Sequence, residues 1–230
     1  GPGGGAVKER PILFSGPMVQ AILDGRKTQT RRVVKPQPGP LDRPYRAPDG
    51  FWYVTDSRGG HFSAIGTRNG RCPHGVPGDR LWVRETWGVG NRPCPHSGWI
   101  DGIEYRADCV DDCAPPLHDV IPGDVDADSI RTGWRPSIHM PRWACRLVLE
   151  IADIRVERLN DISEADADAE GFGGEYPDHV MPDVFPPREG GWGHLSMPEC
   201  YRVLWEHING PGSWDANPWV WVIEFKRVAQ

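Results

Sequence analysis

The residues best equipped for chemistry fall in one stretch, Asp24-Gly25-Arg26-Lys27-Thr28-Gln29-Thr30-Arg31-Arg32, which gathers a lysine, two hydroxyls and three arginines. A threonine hydroxyl is inert until a base takes its proton. A lysine whose pKa is lowered by neighbouring arginines such as Arg26 and Arg31 and by desolvation can be that base. The plain alternative is a solvated basic strand that touches nothing. A carboxylate with a functional look is Glu170, the last residue before Gly171 in a stretch that reads as a short helix. A helix C-terminus disfavours a carboxylate and tends to raise its pKa, which suits acid/base chemistry better than stability.

The elements that must hold these groups can be read on both sides. Pro17 to Leu23 carries Met18, Val19, Ala21, Ile22 and Leu23 near helical period, and Gly25 is a natural stop just past its end. From Lys27 the period changes: Thr28, Thr30, Arg32 and Val34 alternate with Lys27, Gln29, Arg31 and Val33, as in an extended strand. Lys27 and Thr30 fall on opposite faces of an ideal strand, so they converge only if the turn after Gly25 sets Lys27 at the strand mouth. Further on, Asp161-Ile162-Ser163-Glu164 opens the helix that ends at Glu170, with Asp161 or Ser163 as its cap.

Composition bounds the rest. A chain of 230 residues can bury a real core, and a net charge of -6 is no nucleic-acid footprint. The distribution says more. Arg26, Lys27, Arg31, Arg32 and Lys35 are grouped early, while acids dominate from Asp101 to Asp128 and from Asp153 to Asp183, a pattern suited to a small or single-stranded anionic ligand. With 11 tryptophans, some should line a surface or pocket. Gly1 to Val7 read as a cloning scar and linker. No apolar run approaches a membrane span and no signal peptide is visible; irregularly spaced cysteines make no disulfide scaffold, so a reducing cytoplasm is the expected setting.

In chain order, Pro11 to Ser15 reads as a strand. Pro36, Pro38, Pro40, Pro44 and Pro48 exclude regular structure there, and Phe51 to Thr55 reads as a local strand. The stretch Pro77-Gly78-Asp79-Arg80-Leu81-Trp82-Val83-Arg84-Glu85 gives a turn and a strand with Leu81 and Val83 on the core face, leaving Trp82 and Arg84 to meet something else. Gly88 to Thr132 reads as a variable insertion with strand character only at Gly102 to Arg106. Within it Cys94, His96, Cys109 and Cys113 have ligand chemistry, and Cys72-Pro73-His74 echoes Cys94-Pro95-His96. Their spacing lacks a paired-ligand knuckle, so free thiols and surface histidines are expected rather than structural zinc, and no cofactor is required. Trp134 to Trp143 reads as an extended segment laid across the site, and Ala144 to Val156 as the longest strand. Gly173 to Gly193 reads as a flap-like loop, Met197 to Ile208 as a second amphipathic helix, and Trp219 to Lys226 as a closing core strand.

Four motifs in order, Gly25-Arg26-Lys27-Thr28-Gln29-Thr30-Arg31, Pro77 to Val83, the Leu159-to-Gly171 helix and Val220 to Phe225, together resemble the ASCH domain family, a PUA-like group found in RNA-associated proteins. Trp134 to Trp143 and Trp214 to Phe225 look like its phage- and prophage-borne branch. The resemblance implies an α+β fold: one domain over residues 8–230, a small PUA-like β-barrel with flanking helices and insertions at about 36–70, 88–132 and 173–195. It further implies an amidohydrolase of the acetylcytidine type, with catalytic residues Lys27, Thr30 and Glu170 by motif position. In that chemistry Thr30 attacks, or only orients water, while Lys27 is the base and Glu170 serves the leaving nitrogen. Trp82 or Trp143 would stack the base, and Arg26, Arg31, Arg32, Arg84 and Glu85 complete the expected substrate contacts. Two other classes stay open: a non-catalytic reader of modified or single-stranded nucleic acid, and a ribonuclease. Oligomeric state is not legible.

Overall fold

The computed structural model describes residues 6–39, 42–48, 50–55, 62–64, 70–94, 98–109, 117, 121–125, 133–173, 177–186, 188–189 and 191–228. Among them the chain is mixed α+β, mostly strands with few helices, and no helix is long and apolar enough to cross a membrane. The main sheet has the order β1-β6-β9-β10-β2, formed by β1 (Glu9–Leu13), β6 (Arg80–Arg84), β9 (Val148–Arg158), β10 (Trp219–Val228) and β2 (Gln29–Val33). Only β1 and β6 run parallel. A second ladder joins β3 (Arg43–Arg46), β4 (Trp52–Thr55) and β5 (Phe62–Ala64), and β7 (Trp87–Cys94) pairs with β8 (Gly98–Tyr105) as a hairpin. The helices are α1 (Gly16–Leu23), α2 (Glu164–Ala169), α3 (Pro177–Val180) and α4 (Met197–Asn209).

The expected closed barrel does not appear as a hydrogen-bonded cylinder. Among the described residues no ladder joins the two edges, β1 and β2. Side chains meet there instead: Arg32 Nη2 on β2 donates to the Leu13 carbonyl at the end of β1 at 2.8 Å, and its guanidinium lies 5.3 Å from the Phe14 ring centroid.

Alternation along the strands divides two cores. Leu81 and Val83 face the main core with Ile12, Leu149, Ile151, Trp221 and Ile223, against Met18, Val19 and Ile22 of α1 and Tyr201, Leu204 and Trp205 of α4. Burying each such side chain contributes about 1.5–3 kcal/mol. Trp82, from the opposite face of β6, enters a second core with Trp87, Ile103, Tyr105 and Met140, where Val148 of β9 joins it. The Trp134-to-Trp143 segment, expected to lie extended across the site, instead folds into two 3-10 turns, Ser137–His139 and Arg142–Ala144, and Trp143 packs edge-on to Trp87 at 5.5 Å. The second face of β6 therefore meets protein.

Local chemistry explains the joints. Gly78 takes φ +90° in the turn before β6, and the Asp79 carboxylate accepts from Lys8 N at 3.1 Å and Arg10 Nη1 at 2.7 Å, pinning the start of β1. Ser163, rather than Asp161, caps α2 by accepting from Asp166 N. At α4 Ser196 and Glu199 form a reciprocal capping box. The expected flap is no open loop: within it Met181 and Phe185 are fully buried, and Phe185 packs edge-on against Phe172 and Trp192.

Candidate active site

The end of α1 delivers Lys27. Asp24 N bonds to the Gln20 carbonyl, Gly25 turns the chain at φ +78°, and Lys27 N returns to the Ala21 carbonyl at 2.9 Å. Thr28 is held on both sides, its N–H by the Ala169 carbonyl and its carbonyl by Phe225 N. Lys27 therefore stands just before β2, bridged to Glu170 at the C-cap of α2. Gly171 follows with φ +134°, and a Cβ there would stand 3.7 Å from Lys27 Cβ and 3.3 Å from Ala21 Cβ. A glycine thus lets the carboxylate-bearing turn lie flat against the lysine stem.

At the centre, Lys27 Nζ donates to Glu170 Oε2 and to the Glu170 carbonyl, both at 2.7 Å. Arg31 Nη1 donates to the other carboxylate oxygen at 3.0 Å. The side chains of Lys27 and Glu170 are 2% and 3% exposed. Burial, the largest influence, pushes the Lys27 ammonium below its usual 10.5; the Glu170 carboxylate opposes that, and Arg32 and Arg31 add to it. A lysine so placed is closer to a usable base than a solvated one. The two cations also answer the unfavourable helix-end position of Glu170.

Thr30 lines the same cleft, and so do Phe14, Arg32, Tyr201, Trp205 and Asn209. The cavity holds about 80 Å³. The convergence expected only if Lys27 stood at the strand mouth is what the turn after Gly25 produces. Burial also raises the Tyr201 phenol well above its usual 10.0, so it faces the cleft as a neutral hydroxyl.

The remaining expected contacts divide. Arg32 borders the cleft while holding the Leu13 carbonyl. Arg31 turns its guanidinium to protein carboxylates: besides Glu170 it reaches Glu157 at 3.3 Å and Asp166 at 3.5 Å. Arg155 ties Glu157, Asp166 and Glu224 into the same network. Arg31 thus holds Glu170, and it also lines the cleft. Arg26 does not line the cleft; it packs over the turn after α2, donating to the Asp24 carboxylate at 2.7 Å and to the Gly171 carbonyl. Trp82, Arg84, Glu85 and Trp143 do not line the cleft. Trp82 and Trp143 belong to the second core, and Arg84 stacks on Trp82 at 4.6 Å. Glu85, 1% exposed, takes two bonds from Arg146, which also grips Asp108. Trp82 and Arg84 share one cause, since the face of β6 opposite Leu81 and Val83 packs into the second core; Trp143 is part of the 3-10 turn that packs there, and Glu85 follows β6 and is held by Arg146.

Phe14, Tyr201, Trp205 and Asn209 were not singled out as site residues. Asn209 continues the stripe of Tyr201 and Trp205 along α4, and a polar residue at the end of an apolar stripe was the available signal. Of the proposed zinc ligands, His96, Cys113 and the Cys94 side chain lie outside the described residues; Cys109 is a free, half-buried thiol. Among the described residues no group of three or more potential ligands could hold a metal ion. No protein-family model, curated protein or solved structure matches this chain.

Proposed function

We propose that this protein is an amidohydrolase that removes an acyl group from the exocyclic amine of an acylated cytosine nucleoside or nucleotide, on an ASCH-type, PUA-like fold. The observation that carries the reading is the 2.7 Å contact between two almost fully buried side chains, Lys27 and Glu170, in a cleft that Thr30 also lines. In the reaction, neutral Lys27 takes a proton from the Thr30 hydroxyl or from a water that Thr30 orients. The oxygen bonds to the acyl carbon, and the carbon–nitrogen bond breaks. The proton passes along the Lys27–Glu170 contact to the leaving amine. Where Thr30 is the attacker, a water then attacks the acyl–Thr30 ester, breaking its carbon–oxygen bond and returning the hydroxyl; on either route water supplies OH to the acyl product and H to the amine, so no other reactant is needed. Arg31 keeps the carboxylate oriented, and Phe14, Tyr201 and Trp205 offer rings to the base.

A phosphate-handling role draws less support, because Arg31, which lines the cleft with Arg32, already pairs with three protein carboxylates. The same geometry suits a single modified nucleoside as partner better than a long strand. The test is acetate release from acetylcytidine and a panel of acylated cytosine nucleosides by wild type, Lys27→Ala, Thr30→Ala and Glu170→Ala. Loss of Lys27 is expected to cost about 10²–10⁴-fold in kcat/KM. A covalent acyl adduct on Thr30, seen by intact mass, would make it the nucleophile, and its absence with turnover intact would make water the attacker. A folded wild type that hydrolyses none of the panel would overturn the proposal.

A further inference from the structure

Beside the candidate cleft lies a second cavity of about 310 Å³, and Met18, Leu204 and Ile208 line both. The two spaces are adjoining compartments divided by three flexible apolar side chains. Their chemistry differs. The cleft has rings from Phe14, Tyr201 and Trp205 and the polar groups of the reacting centre, whereas the adjoining cavity adds Pro17, Met181 and Val184 and has no Phe, Tyr or Trp in its lining, the imidazole of His207 being its one ring.

A nucleobase is held by stacking on broad aromatic faces, and a cavity whose one ring is an imidazole is a poorer seat for one than a cleft with three larger rings. Aliphatic and thioether walls suit an alkyl chain: contact is non-directional, and methionines such as Met18 and Met181 adapt to the shape of what enters. Ile208 is 56% exposed, a large apolar group that such a chain would cover. An amide substrate whose base lies among the rings must send its acyl group elsewhere, and the larger compartment opens off the same walls.

We propose that this cavity is an acyl-chain slot and that the preferred substrate bears a medium-length linear aliphatic acyl group rather than acetyl. The proposal rests on the amidohydrolase reading above. Asp183 and His207 contribute polar atoms to the same lining, so chains that outgrow the apolar walls meet them, and preference should peak at an intermediate length.

The experiment is kcat/KM for cytidines carrying acetyl, butanoyl, hexanoyl and decanoyl groups on the exocyclic nitrogen. Added methylenes in an apolar pocket each change discrimination by about tenfold or more. The expected result is at least a tenfold rise from acetyl to the best chain, followed by a fall. Val184→Trp, which narrows the slot, should lower the hexanoyl-to-acetyl ratio at least tenfold. Rates that fall steadily from acetyl onward, or a ratio unmoved in folded Val184→Trp, would overturn the slot and leave the amidohydrolase reading standing. Turnover of no member of the series would overturn both.

Discussion

Replacing Glu170 by Gln keeps the shape of the side chain and removes the one charge that Lys27 and Arg31 share. Both partners of the Lys27 pair are nearly fully buried, so breaking it is expected to cost about 3–5 kcal/mol. That is a large share of the roughly 5–15 kcal/mol typical of a folded domain, and corresponds to a fall of roughly 6–20 °C in Tm. The cost should also depend on pH. The folded-state pKa of Lys27 already lies below its usual value; Glu170 raises it, while burial and the two arginines lower it. Glu170→Gln removes the raising influence and leaves the lowering ones. A lysine with a depressed folded pKa binds fewer protons folded than unfolded, so stability is lost as pH falls from the unfolded value toward the folded one. The variant carries that loss to lower pH. Its deficit against wild type should therefore widen as pH falls, by about 1.4 kcal/mol per unit across the interval between the two Lys27 pKa values. Urea unfolding followed by tryptophan fluorescence at about pH 6, 7.5 and 9 measures it. The double variant Lys27→Met, Glu170→Gln should recover much of the loss and show no such widening. A deficit that narrows as pH falls, or one below about 1 kcal/mol, would refute the reasoning.

Two further outcomes follow from groups outside the cleft. Burial, reinforced by Arg32 and Arg10, lowers the His74 pKa from 6.5 to about 4, so its neutral form contributes stability that is present above 6.5 and lost as pH falls toward 4. The full loss is about 3 kcal/mol, and His74→Gln should flatten the stability profile in that window; an unchanged acid limb would count against it. Arg146→Met takes the guanidinium from Glu85 and Asp108, which it holds at 2.7–2.9 Å. Melting should show a loss of about 3–5 kcal/mol with kcat/KM per folded molecule preserved, whereas a drop in kcat/KM would return Glu85 to the substrate.

The parts of the fold written in period and caps were readable from sequence. Apolar spacing before Gly25 marked α1, the Ser163–Glu170 stretch marked α2, and the apolar run at Trp219 marked β10. Where glycine serves close approach rather than a turn, the reading failed. Gly88 to Thr132 reads as an insertion with little strand, yet β7 and β8, eight residues each, pair as a hairpin. A Cβ on Gly90 would fall 2.0 Å from Glu104 Oε1, and one on Gly102 2.9 Å from Leu117 Cβ. These glycines make room for neighbouring side chains, and sequence does not separate that use from a bend. Proline misled in the same way at Arg43–Arg46, which pairs with β4 despite Pro44. For the site, motif position located the Lys27, Thr30 and Glu170 cluster. What Trp82, Glu85 and Arg31 touch is decided by partners distant in the chain, Val148, Arg146 and Glu157 among them.

The unzipped seam between β1 and β2 bears on how anything enters the cleft. A ladder there would lock its walls with several backbone bonds at once. The seam is instead bridged by the bond from Arg32 to the Leu13 carbonyl and the contact of its guanidinium with Phe14, and both Arg32 and Phe14 line the cleft. A charged hydrogen bond of this kind contributes roughly 1.5–3 kcal/mol. An arriving ligand that offers Arg32 a better acceptor than a backbone carbonyl would compete with the one side-chain bond described between β2 and the end of β1.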